Sequence, residues 1–213
     1  MNNFELGYKA RKNGVSPSNE CEMEIMVQVR APDSPEEIDN YRRGAMNLAF
    51  VVDRSGSMSG RPLEEAKRCV LAMMKNLRRD DGVSLVSYDE EVEILQPCLP
   101  LGNGHSFQNY LDSIDARGMT NLHGGWLQGA SSLADALEDD RLSRVILLSD
   151  GRANRGLVNQ QRIASQCARM AAAGVSTSTY GLGNGFNEDL MMAVGRAGQG
   201  NHYYGELAED LLQ

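Results

Sequence analysis

Three short stretches carry side chains whose types and spacing suit metal chemistry. Asp53-Arg54-Ser55-Gly56-Ser57 sets two hydroxyls two residues apart, with an aspartate just ahead of them. Gly118-Met119-Thr120-Asn121 supplies a third hydroxyl, and Ser149-Asp150-Gly151 a second carboxylate. None of the three contains a histidine or cysteine, and oxygen-only ligation selects a hard cation such as Mg²⁺, Mn²⁺ or Ca²⁺ over zinc. A tight turn can aim the Ser55 and Ser57 hydroxyls at one point, with Gly56 free to take unusual backbone angles. Hydroxyls are neutral ligands, so an octahedral ion held by three of them is poorly compensated and keeps water at one or more positions. An incoming carboxylate can replace that water and supply the missing charge. The two aspartates then act by orienting bound waters. The pattern suits ligand capture rather than metal storage.

Other features of the chain point away from catalysis. The Gly181-Leu182-Gly183-Asn184-Gly185 run lacks the spacing of a dinucleotide loop. There is no Walker-type phosphate loop and no G-x-S-x-G nucleophile elbow. His105, His123 and His202 read as surface or packing residues, which leaves no evident general base. Asp53 and Ser57 alone would serve equally well as caps or turn residues; Thr120 and Asp150 at matching loops favour the metal reading. The acidic runs Asp80-Asp81, Asp89-Glu90-Glu91 and Glu138-Asp139-Asp140 read as solvated turns or helix ends.

These loops need elements to bring them together. Met46 to Val52 is a nearly continuous apolar run, as in a strand of a parallel sheet buried on both faces. Pro62 opens a helix whose apolar face is Leu63, Ala66, Val70, Met73, Met74 and Leu77. Strands are expected over 82–88 and 92–95, the latter antiparallel because its connection is so short. Leu122, Trp126, Ala130, Leu133 and Leu137 mark a helix, 145–148 a buried strand, and Ile163, Cys167, Met170 and Ala171 another helix. A strand over 175–180, a helix over 190–194 and a last strand over 202–204 follow. Strand–helix alternation implies an α/β, doubly wound, mostly parallel sheet with one antiparallel edge strand and helices on both faces. In such sheets ligands sit beyond the carboxyl ends of the strands, where strand order reverses. Ahead of this domain, expected over 45–213, residues 1–44 form an extension with one strand (22–30) and a polar linker. The ending GELAEDLLQ reads as a helix under way, hence as a fragment of a longer chain.

The five positions Asp53, Ser55, Ser57, Thr120 and Asp150, in this order and strand context, resemble the metal-ion-dependent adhesion site of the von Willebrand factor type A domain family. The resemblance covers roughly residues 45–206. It implies that Ser55, Ser57 and Thr120 bind Mg²⁺ (alternatively Mn²⁺ or Ca²⁺) through their hydroxyls, and that Asp53 and Asp150 act mainly through water. A Glu or Asp of a partner protein would complete the coordination. Arg54, His123 and the Gly124-Gly125 pair lie close enough to shape partner selectivity. The Asp150-Gly151-Arg152-Ala153-Asn154 stretch resembles intracellular bacterial members. The expected function is a non-enzymatic, metal-dependent protein–protein interaction module. The alternative is an accessory domain docking onto an AAA-type ATPase of a chaperone or chelatase.

Bulk properties agree. The chain has 213 residues, 41% hydrophobic, enough for a core that buries roughly 70% of its unfolded surface. A net charge of −8 argues against nucleic acid and anionic membrane surfaces as general partners. No apolar run suits a signal peptide or a membrane span, so a cytoplasmic protein is expected. Four scattered cysteines give no zinc pattern; reduced thiols are the simpler reading, with a Cys21–Cys98 disulfide left open.

Overall fold

The computed structural model describes residues 5–10, 25–30, 43–183 and 186–204. The chain divides into two compact units, Met1–Arg43 and Gly44–Gln213.

In the first unit, β1 (Glu5–Ala10) pairs antiparallel with β2 (Ile25–Arg30), with Leu6 opposite Val29 and Tyr8 opposite Val27. Strand alternation puts Leu6, Tyr8, Ile25, Val27 and Val29 on one face, and Lys9, Gln28 and Arg30 on the other. The sequence shows β2 but not β1, whose Leu6-x-Tyr8 alternation is short and interrupted by Gly7.

The second unit is built on a six-stranded sheet in the order β5-β4-β3-β6-β7-β8. Strands β3 (Met46–Asp53), β4 (Gly82–Tyr88), β6 (Leu142–Ser149), β7 (Val175–Gly181) and β8 (Gln199–Tyr204) are parallel; β5 (Val92–Pro100) runs antiparallel to β4 at the edge. From β3 the chain steps outward through β4 to β5, then returns on the other side of β3 as β6. The reversal therefore lies between β3 and β6, where the loops holding Ser55 and Asp150 emerge.

Side-chain alternation along β3 divides the core in two. Leu48, Phe50 and Val52 pack with α1 (Arg61–Met74) and α2 (His105–Asp112). Ala49 and Val51 pack with α3 (Leu122–Ala134), α4 (Gln160–Ala172) and α5 (Glu188–Ala197). Both faces of β3 are buried, which is why its sequence is an unbroken apolar run. Strand β7 is buried yet rich in hydroxyls, and these are bonded: Trp126 Nε1 donates to Thr177 Oγ1 (3.0 Å), and Thr179 Oγ1 to the Met191 carbonyl (2.9 Å). Cys69, Cys98 and Cys167 form no disulfide among the described residues; Cys21 lies outside the described residues. Among the described residues, no helix is long and apolar enough to cross a membrane.

Candidate metal centre

Asp53 ends β3 and is fully buried. Its Oδ1 accepts from the Ser55 amide (2.9 Å), while Oδ2 accepts from the Ser149 hydroxyl (2.5 Å) and the Tyr88 hydroxyl (3.2 Å). The carboxylate thus ties together the ends of β3, β4 and β6. Burial pushes the Asp53 carboxyl up to about 6, against the opposing hydrogen bonds from Ser149 and Ser55 and with added repulsion from Asp150. A bound cation at its hydrogen-bonded neighbours would favour the ionised form.

Ser55 and Ser57 lie just in front, with their Oγ atoms 3.2 Å apart. Adjacent oxygens on an octahedral Mg²⁺ stand roughly 2.9 Å apart, given bonds of about 2.0–2.1 Å. The pair therefore fits one edge of such an ion. A 3-10 turn over Gly56–Met58 sets this spacing. Gly56 itself does not adopt a positive φ, contrary to the expectation that it frees the turn; Gly60 (77°) and Gly118 (69°) do. The Gly56 amide donates to the Gly118 carbonyl (3.1 Å), joining the serine turn to the loop that carries Thr120.

Thr120 is 2% exposed and held by its backbone. Its amide donates to Asn154 Oδ1 (2.9 Å), and its carbonyl accepts from the amides of Asn154 and Arg155 (3.1 Å each). None of these bonds uses the Thr120 hydroxyl, which stays available to an ion. Asp150 is 5% exposed; its Oδ1 accepts from the Arg152 amide (3.1 Å), and Arg152 Nε lies 3.7 Å from Oδ2. Among the described residues, no group of three or more His, Cys, Asp or Glu could hold a metal. An ion here would rest on hydroxyls, with the two aspartates behind them, and that donor set fits Mg²⁺ or Mn²⁺.

Arg54 and His123 are engaged within the domain. Arg54 is 6% exposed; its Nε donates to Asp89 Oδ2 (3.0 Å) and its Nη1 to Glu93 Oε2 (3.0 Å). His123 Nε2 lies 2.9 Å from Gln166 Oε1, and its ring approaches Trp126. Gly125, of the pair expected to shape selectivity, is buried against the Tyr88 ring, where a Cβ would collide. Two acidic residues read as solvated are instead internal. Asp81 is fully buried and accepts from the amides of Met46 (3.0 Å) and Arg78 (2.7 Å). Asp89 is 2% exposed and paired with arginines. Local sequence gives no sign of the bonds from Met46 to Asp81 and from Arg54 and Arg117 to Asp89, because those partners lie 28 to 35 residues away. Tyr88 and Asn154, which hold Asp53 and Thr120 in place, were also missed for that reason.

Comparison with known proteins adds an independent line. A sequence model of the von Willebrand factor type A domain matches residues 47–212. An uncharacterized protein, sll0103 of Synechocystis, is 28% identical over 201 residues, covering 92% of this chain and 45% of its own. Human inter-alpha-trypsin inhibitor heavy chain H3 is 30% identical over 175 residues, covering 78% of this chain and 20% of its own. This chain therefore spans less than half the length of these relatives. Among solved structures, a von Willebrand factor type A protein from Catenulispora acidiphila superposes with a TM-score of 0.70 at 15% identity, over 99% of this chain and 48% of that one. Mussel byssus proximal thread matrix protein 1, with a zinc-occupied MIDAS motif, gives 0.63 at 17% identity, over 79% and 45%. Manganese-loaded TRAP protein of Plasmodium vivax gives 0.65 at 16%, over 80% and 72%.

Proposed function

The chain belongs to the von Willebrand factor type A domain family, and from that premise we propose that it is a non-enzymatic interaction module that captures a partner's Glu or Asp carboxylate through a bound Mg²⁺ or Mn²⁺. Ser55, Ser57 and Thr120 would hold the ion, with Asp53 and Asp150 orienting its waters. The observation that carries this reading is the pair of serine hydroxyls 3.2 Å apart in front of the buried Asp53. The ion would supply the positive charge that draws the anionic side chain. A zinc-occupied MIDAS motif in one protein of the same fold and manganese loading of another support a divalent ion in this chain. No imidazole stands among these five residues to serve as a general base toward a bound water.

Affinity capture from native lysate tests the reading. The intact chain should retain a protein partner in Mg²⁺ and release it on chelation, and Ser55→Ala should retain none while staying folded. Capture that is indifferent to EDTA and to Ser55→Ala would refute it.

A further inference from the structure

The buried Asp89 carboxylate lies outside the five candidate metal residues, yet it joins the loops that bear them. Its Oδ2 receives Arg54 Nε (3.0 Å) and Arg117 Nε (2.9 Å), and its Oδ1 the Glu91 amide (2.7 Å). Its carbonyl accepts from the Asn121 amide (2.8 Å). Arg54 sits between Asp53 and Ser55, Arg117 three residues before Thr120, and Asn121 directly after Thr120. Two backbone bonds run alongside, from Arg117 to the Arg54 carbonyl (2.7 Å) and from Gly56 to the Gly118 carbonyl (3.1 Å). Gly118, at a φ of 69°, presses so closely that a Cβ there would stand 3.2 Å from the Asp89 Cβ.

We propose that Asp89 is a positioning residue of the metal centre: through Arg54 and Arg117 it fixes the Thr120 loop against the Ser55–Ser57 turn, so that three hydroxyls converge before the ion arrives. This rests on the metal-centre reading above. Three neutral donors from two distant segments bind an ion well only if their geometry is set in advance. Charge-assisted hydrogen bonds from two arginines to one buried carboxylate give that rigidity. The same contact reassigns Arg54 from the partner to the architecture of the site.

The test is Mn²⁺ binding to the intact chain, by titration calorimetry, with thermal unfolding in parallel. Asp89→Asn and Arg117→Gln should each weaken Mn²⁺ by about tenfold or more. If they act through Thr120, combining either with Thr120→Ala should weaken binding by no more than about twofold beyond Thr120→Ala alone. A merely structural role would lower the melting temperature but leave the two losses multiplicative. Arg117→Gln keeps the test decisive should Asp89→Asn fail to fold, because the Arg117 side chain is 60% exposed and the buried Arg54–Asp89 pair survives it. Wild-type affinity in Arg117→Gln, or losses that multiply in full with Thr120→Ala, would overturn the proposal. Absence of Mn²⁺ binding by the wild type would overturn the metal-centre reading and the proposal together, a result distinct from unaffected variants.

Discussion

Burial of Asp53 gives the metal-free domain a pH dependence of known sign. In the folded protein this carboxyl holds its proton up to about 6, whereas its ordinary value is 3.8. Between those values the folded state binds the proton more tightly than the unfolded state, so stability falls as pH rises through that window. The full cost of ionising it is roughly 3 kcal/mol. In chelator, wild type should therefore lose about 1 kcal/mol more than Asp53→Asn between pH 5 and pH 7, read as urea midpoints. Equal slopes for the two proteins would show that Asp53 is not desolvated as described. Mg²⁺ at pH 7 should restore much of the loss to wild type and nothing to the variant. Asp53, Ser55 and Ser57 stand out in the sequence because D-x-S-G-S after an apolar run is a local signal, whereas Thr120 and Asp150 stand out only through the loops and strand ends they share with it. The role of Asp89 does not stand out, since its arginine partners lie 35 and 28 residues away and an acid in a turn is ordinarily solvated.

Among the elements, α3 joins the site to the core. Its Gly125 accepts the Tyr88 ring, and the Tyr88 hydroxyl in turn donates to Asp53. Gly125→Ala should raise intrinsic helix propensity by about 1 kcal/mol. It should nevertheless destabilise the domain by about 1–3 kcal/mol, because the methyl meets an aromatic ring with nowhere to go. Displacing Tyr88 also removes a bond from Asp53, so Mn²⁺ affinity should fall with the melting temperature. A melting temperature at or above wild type would mean that the helix–strand contact is looser than it stands here. The buried strands and amphipathic helices were readable because their apolar periodicity is strong. Strand β5 extends to Pro100 rather than ending near Leu95, because an edge strand alternates weakly: Ile94 and Leu99 are exposed while Gln96 is buried. The Gln96 amide donates to the Val83 carbonyl (3.1 Å), a polar residue doing an interior residue's task, and periodicity does not register it.

At the scale of the molecule, the unit Gly44–Gln213 contains both core layers and every candidate metal residue. It should therefore fold alone, and metal should stabilise it by mass action. A two-stranded ribbon such as β1–β2 is marginal by itself in water, whatever the pattern of its faces. The placement of the site at the β3/β6 reversal follows from the strand order, which the alternation of elements leaves open: the sequence alone points only to the loops after these two strands. The ribbon's first strand did not follow, because pairing with β2 rather than local pattern defines it. Ion at a hundredfold excess over its dissociation constant contributes about 2.7 kcal/mol, provided the unfolded chain does not bind it. For a domain of this length that corresponds to a rise of roughly 5–10 °C in Tm. The isolated unit should accordingly melt cooperatively and show this rise in Mg²⁺ or Mn²⁺, while its Ser55→Ala variant melts at the chelated temperature in either ion. A cooperative melt with no response to ion in the unit, alongside a full response in the intact chain, would show that residues before Gly44 help to build the metal centre.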